Sequence, residues 1–246
     1  MKNKIEYFFN IKKKVIVIVG GSRGIGAKIA QELSLLGSTV ITLGRTKLKK
    51  KNHIKCSIKN EKEIISALKK IKKNFGKIDV LINVAGISES VSGSKKLQKI
   101  SDFKLILETN LIGIYKVCNI AQNYLKKGSS IINITSIASQ FGFPNNPGYI
   151  SSKSGLSGLT RSLAYDLSKF GIRVNNLVPG YIKTKMTIKS YKNNKLFNLR
   201  KSKTLLNRWG ETKDLVGAVI FLSSKASSYV TGSDITVDGG GSAKGI

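Results

Sequence analysis

The 246-residue chain has one histidine, two cysteines and 13 carboxylates. With His53 alone, a Ser-His-Asp hydrolase has a single candidate base, and that histidine sits in a Lys-rich turn that reads as solvated surface. Cys56 and Cys118 are too far apart for a CxxC pair. With one histidine they make no zinc pattern, so no metal site is expected. No apolar run approaches the roughly 20 residues that a membrane-spanning helix needs. The basic stretch over 1–14 has one apolar cluster, Tyr7-Phe8-Phe9, too short for the apolar region of a signal peptide. What remains is a cytoplasmic, disulfide-free enzyme or binding protein with no membrane partner. At 41% hydrophobic the chain can bury a core, and its length suits one domain over 1–246.

The shortage of carboxylates against 43 Lys and Arg leaves a formal net charge of +30. That balance invites a nucleic-acid reading. The excess, however, is 37 Lys and only 6 Arg. Lys, Ile and Asn together make up 86 of the residues, and all three use A/T-rich codons, so mutational bias alone produces this composition. Nucleic-acid binders favour arginine for bidentate contacts. The lysines spread over most of the chain, densest over 12–14 and 47–51, and read as a solvated surface.

Periodicity predicts alternating strands and helices. Val15–Val19 is a β-branched run, the mark of a strand buried on both faces. A helix follows over 25–36, then strands over 40–43 and 54–58. Glu61–Phe75 reads as an amphipathic helix, with a strand over 79–83 behind it. A long helical stretch over 96–125 leads to a strand over 130–134. A helix over 149–170, a strand over 173–178, a helix over 212–222 and a strand over 235–237 complete the pattern. Parallel neighbours need crossovers, so the expected fold is α/β: one Rossmann-like, doubly wound parallel sheet with helices on both faces. About ten residues separate Leu43 from Ile54, which cuts the second crossover to a loop. Residues 183–206 are the least patterned and read as a mobile lid.

Two motifs carry chemistry. Gly20-Gly21-Ser22-Arg23-Gly24-Ile25-Gly26 follows the first strand and opens the first long helix, where glycines let backbone approach a pyrophosphate. Its spacing differs from the common GxGxxG. Tyr149 and Lys153, four apart, share a helix face. A free tyrosine titrates roughly three units too high for neutral-pH acid/base work, and a cation alongside lowers that value.

Together these segments resemble a short-chain dehydrogenase/reductase over about 13–240. The resemblance implies hydride transfer between a nicotinamide and a carbonyl or secondary alcohol. It makes Asn110, Ser136, Tyr149 and Lys153 the catalytic set: Asn110 holds a relay water, Ser136 binds the substrate oxygen, Tyr149 is the acid/base and Lys153 its cation. It assigns the cofactor to Gly20, Ser22, Arg23, Gly24, Ile25, Gly26, Asn83, Ala85, Gly86, Pro179, Gly180 and Thr184, with Tyr149 and Lys153. Asp238-Gly239-Gly240 matches the family's last strand and turn. Val19, Val84 and Ser57 depart from the family's usual Thr, Asn and Asp.

Relatives that prefer NAD carry an acid after the second strand. Here Gly44 and Arg45 stand there, with Arg23 in the glycine turn, so NADP(H) is expected over NAD(H). Two substrate classes resemble the relatives. One is a 3-oxoacyl group on acyl-carrier protein, an acidic partner that Lys127, with Lys169 beside Phe170, would meet. The other is a sugar, polyol or gluconate-type substrate, on the strength of Phe8-Phe9-Asn10-Ile11 and Arg208-Trp209-Gly210. The acyl-carrier reading is slightly preferred. The resemblance also implies a homotetramer.

Overall fold

All five residues of Val15–Val19 (β1) are buried. Such a strand needs helices on both sides, and the chain supplies them. The computed structural model describes residues 4–49, 51–88 and 97–244 and contains one seven-stranded sheet. The later strands are β2 (Thr39–Gly44), β3 (His53–Lys55), β4 (Ile78–Asn83), β5 (Leu125–Ile134), β6 (Arg173–Pro179) and β7 (Asp234–Val237). All pair in parallel, in the order β3-β2-β1-β4-β5-β6-β7. Strand order reverses between β1 and β4, where doubly wound sheets open a crevice beyond the strand C-termini. The Rossmann-like expectation holds.

Among the described residues the helices are α1 (Lys4–Phe9), α2 (Gly24–Leu35), α3 (Glu61–Phe75), α4 (Ile100–Leu107), α5 (Gly113–Ala121), α6 (Pro147–Ser168), α7 (Ile188–Lys192), α8 (Asn194–Ser202) and α9 (Val216–Ser223). One face of the sheet packs Val15, Val17, Leu81, Ile131 and Val174 against α3, α5 and α6. The other packs Ile16, Ile18, Val80, Ile82 and Ile132 against α2 and α9. Helix α3 has the limits its pattern predicts. The Asn60 side chain accepts from Lys62 N and Glu63 N, and Gly76 ends the helix at φ 72°. With few carboxylates to spare, α9 is closed by cations. Lys14 Nζ donates to the Ser223 carbonyl at 2.8 Å, and Arg173 Nη2 donates to that of Leu222 at 2.9 Å.

The structure departs from the periodicity in several places. Helix α1 precedes β1, although its short run of exposed aromatics carries no core-facing stripe. The stretch predicted over 96–125 begins outside the described residues. It is broken into α4, a π-helical turn over Glu108–Ile112, α5 and a final 3-10 turn. Strand β5 starts at Leu125, earlier than expected, and β3 ends at Lys55. Residues 183–206 are not patternless: they carry α7 and α8. The short crossover is present as predicted, with no helix among the described residues between β2 and β3. His53 is not loose surface. Its Nε2 meets the Thr46 carbonyl at 2.7 Å and its Nδ1 meets Thr42 Oγ1 at 2.8 Å, which ties down the loop that replaces the helix.

A row of polar side chains runs across the strand ends beneath α6. Asn83, Asn133, Asn176 and Asp234 are register partners on β4 to β7. Asn83 Nδ2 donates to Asn133 Oδ1, whose amide donates to Thr160 Oγ1, both at 2.8 Å. Thr160 donates to Asn176 Oδ1, and Asn176 Nδ2 to Asp234 Oδ1, both at 2.7 Å. The three asparagines and Thr160 are at most 1% exposed.

Candidate active site

The crevice is a cleft of about 480 Å³ beyond β1, β2 and β4. Its floor is the turn after β1. Gly20 has φ +85°, and a Cβ there would lie 2.6 Å from Ala85 N, so only glycine lets these two backbones meet. A Cβ at Gly26 would strike the Gly20 carbonyl, which makes Gly26 the packing residue between α2 and the turn rather than part of the cleft wall. Ser22, Arg23, Gly24 and Ile25 line the cleft at the start of α2. Arg23 is the extended N-cap residue, with no side-chain cap, so the free N–H groups and positive end of the helix face the opening.

The far wall comes from Gly44, Arg45 and Thr46, the near side from Val84–Ser88, and the rim from Thr184, Lys185 and Met186. Four cations line it, Arg23, Arg45, Lys59 and Lys185, and no carboxylate does so among the described residues. Ser57 offers only a small hydroxyl side chain, and its N–H is taken by Glu63 Oε2 at 2.9 Å. Lys59 and Ser88 were not singled out by the sequence. Both lie one or two residues past motif positions, and only the fold shows that these loops reach the cleft.

Gly86 is the meeting point of the other motifs. A Cβ on it would lie 3.4 Å from Asn110 Oδ1 and 3.7 Å from Lys153 Nζ. Asn110 sits on the π-helical turn, an irregularity that often marks functional positions. Its Oδ1 accepts from Ile87 N at 2.8 Å, and its Nδ2 donates to Ile87 O at 2.9 Å and Ser152 Oγ at 3.1 Å. Ser136, just past β5, caps a short turn by accepting from Ala138 N. The Tyr149 hydroxyl is hydrogen-bonded to Ser136. Lys153 is 4% exposed, and its Nζ lies 5.8 Å from the Tyr149 ring centre.

The electrostatics differ from the simple expectation. Burial pushes the Tyr149 phenol above its usual value, and only the hydrogen bond with Ser136 works the other way. Desolvation also pulls Lys153 down to about 8. Its ammonium is held at the Ile134 carbonyl, 2.7 Å away, and does not touch the phenolic oxygen. Six assigned cofactor positions fall outside the cleft lining: Gly26, which packs behind the turn, Tyr149 and Lys153 on α6, and Asn83, Pro179 and Gly180. The Asn83 side chain turns into the polar row, and Pro179 and Gly180 end β6 against Asp238. Thr184 does line the cleft.

A glycine cradle at a helix N-terminus and four cations, with no acid beside them among the described residues, fit a nicotinamide dinucleotide cofactor. The family model described as enoyl-(acyl carrier protein) reductase matches residues 19–242. The chain belongs to that family, the short-chain dehydrogenases/reductases, and is an oxidoreductase acting between CH–OH and C=O groups. It is 33% identical to 2-dehydro-3-deoxy-D-gluconate 5-dehydrogenase of Formosa agariphila, over 94% of each chain. It is 35% identical to 3-oxoacyl-[acyl-carrier-protein] reductase of Rickettsia bellii, over 94% of this chain and 98% of that one. Among solved structures it resembles a gluconate 5-dehydrogenase from Burkholderia cenocepacia in complex with NADP and tartrate. That likeness has a TM-score of 0.90 and 25% identity, and covers 98% of this chain and all of the other.

Proposed function

We propose that the chain is an NADP(H)-preferring carbonyl reductase or secondary-alcohol dehydrogenase that uses Ser136, Tyr149, Lys153 and Asn110. The observation that carries this reading is the convergence of Lys153 and Asn110 on Gly86, with Tyr149 bonded to Ser136 beside them, next to a cleft whose charged lining among the described residues is cationic. The turn from Gly20 to Gly26 would hold the pyrophosphate at the α2 N-terminus, and Arg23, Arg45 and Lys59 would take the 2′-phosphate. A nicotinamide bound there supplies or accepts the hydride. Tyr149 gives its hydroxyl proton to the substrate oxygen in reduction and takes it back in oxidation. Ser136 donates to the same oxygen and orients it. Lys153 favours the phenolate once the proton has left, and Asn110 fixes the Ile87 backbone beside them.

Two substrate classes stand. The acyl-carrier reading is supported by the likeness to the Rickettsia reductase. Its basic contacts sit awkwardly, however: Lys127 is the third residue of β5, while Ser136 lies beyond the strand's far end. Lys127 lies in the bulged start of that strand, towards the opposite edge of the sheet from this chain's own cleft. The sugar-acid reading does not need that contact, and the Formosa and Burkholderia relatives support it. We infer a cytoplasmic homotetramer from the family. No helix among the described residues is long and apolar enough to cross a membrane. Comparing kcat/KM with NADPH and with NADH, on acetoacetyl thioesters and a ketogluconate panel, tests cofactor and substrate together. A clear NADH preference would refute the cofactor reading.

A further inference from the structure

Arg200, near the end of α8, is held by rings rather than by acids. Its guanidinium carbon lies 5.2 Å from the Tyr181 ring centre and 5.6 Å from that of Trp209. The two rings are 5.9 Å apart and inclined at 53°, so they form an open bracket. Phe143 packs edge-on against Tyr181 at 6.2 Å. Tyr181 follows β6 at the C-terminal edge of the sheet, the edge that also carries Ser136. Phe143 lies six residues before Tyr149. The bracket is thus joined directly to the segment that delivers the acid/base.

The contrast with other arginines is chemical. Arg208 forms two hydrogen bonds to Asp214, and Arg173 donates to the carbonyls of Leu222, Ser224 and Val230. Among the described residues Arg200 makes no hydrogen bond or ion pair, although it is only partly exposed. Burial holds its pKa below the usual arginine value. Ring faces steady a guanidinium but leave its in-plane N–H donors free. Two more cations line the adjoining recess: Lys201, the next residue in the chain, and Lys183, which lies over Tyr191 at 4.4 Å. The carboxylates of the adjoining recess are spent, Asp214 on Arg208 and Glu211 on Lys213. A half-desolvated fork of donors, pre-oriented and unmatched by protein, suits an anionic oxygen group brought by a ligand.

We propose that Arg200 is a specificity-determining residue that binds a carboxylate or phosphate group at the end of the substrate remote from its reacting carbonyl. This rests on the oxidoreductase reading of Ser136, Tyr149 and Lys153. The shared chemistry could come from the carboxylate of a sugar acid or the phosphate of an acyl-carrying arm.

Matched probes that differ in the anionic group separate the two sources. One pair is 5-keto-D-gluconate and L-sorbose, its CH2OH counterpart; the other is acetoacetyl-pantetheine 4′-phosphate and acetoacetyl-pantetheine. With the full chain and NADPH, the wild type is expected to favour the anionic member of one pair. Arg200→Gln should lower that anionic-to-neutral kcat/KM ratio by about 10- to 100-fold, mainly through KM, and Arg200→Lys should retain part of it. The pair that responds identifies the source. An unchanged ratio in both pairs, or an equal fall for both members, overturns the proposal. A second arm needs no turnover: calorimetric binding of the two anionic probes to the NADPH complex of Tyr149→Phe, with and without Arg200→Gln. Binding lost with Arg200 supports the proposal even if the wild type reduces none of the four compounds, an outcome that would defeat the substrate reading alone. No binding of either anionic probe overturns it.

Discussion

Lys153 Nζ donates to the backbone carbonyl of Ile134 at 2.7 Å, joining α6 to the last residue of β5 across 19 positions of sequence. The bond fixes a buried cation between the strand that leads to Ser136 and the helix that carries Tyr149. Its consequences are measurable because the lysine is nearly free of solvent.

Desolvation lowers Lys153 from 10.5 to about 8. Below pH 8 the folded and unfolded states are both protonated, and burying the charge costs about 3 kcal/mol. Between pH 8 and 10.5 the folded state sheds a proton that the unfolded state keeps, so this cost is relieved as pH rises. Urea unfolding should show wild type gaining up to about 3 kcal/mol relative to Lys153→Met across that window. The ammonium that assists Tyr149 disappears over the same range, so kcat/KM for reduction should fall above about pH 8. A flat profile to pH 10 would contradict this role.

Tyr149→Phe removes the hydroxyl that is bonded to Ser136 and leaves the ring in place. Turnover should drop by about 10²- to 10⁴-fold, the usual span for a general acid. NADPH affinity, read by fluorescence quenching, should stay within about threefold. A variant that keeps most of its turnover would remove Tyr149 from the mechanism.

Arg45→Asp places a carboxylate where the described cleft lining has none. The expected result is a rise in KM for NADPH of about 10- to 100-fold with a lower KM for NADH, from repulsion of a 2′-phosphate and new acceptors for ribose hydroxyls. Equal changes with both cofactors would place Arg45 outside the discriminating contacts.

Asn110→Leu cuts both bonds to Ile87 and the one to Ser152. Leaving these part-buried groups unpaired should cost about 2–3 kcal/mol of stability, read from the urea midpoint. Asn110→Asp keeps the acceptor for Ile87 N and should recover part of the loss. If Asn110→Leu unfolds like wild type, the side chain does not brace the Ile87 segment.

The parallel sheet was readable because β1 is a continuous apolar run between turn signals, and α3 because Asn60 and Gly76 bracket a clean helical face. The shortened crossover followed from counting residues between Leu43 and Ile54. The glycine turn and the Tyr149–Lys153 pair were readable as local spacings, and Ser136 only through the family resemblance. Other features depend on partners distant in sequence. Nothing local marks Glu108–Ile112 as π-helical, since the turn is braced by Ile87 and Ser152. Helices α7 and α8 have no buried residue among them and so leave no core-facing stripe. Their order comes from Trp209, which stacks on Phe197 and meets Tyr191 edge-on. Asn83 looked like a cofactor contact because it adjoins Ala85 and Gly86, but its amide is engaged by Asn133, a partner 50 positions away in sequence.

The polar row from Asn83 to Asp234 gives the sheet a means of rejecting wrong alignments. An all-apolar strand can shift along its neighbour and still find greasy contacts, at a modest penalty. With a single amide on each of β4 and β5, a one-residue shift of either strand would turn that amide to the opposite face of the sheet. It would also leave unmatched groups beneath α6, each costing about 1–3 kcal/mol. The row therefore favours one alignment of β4 and β5, the strands that lead to Gly86 and Ser136.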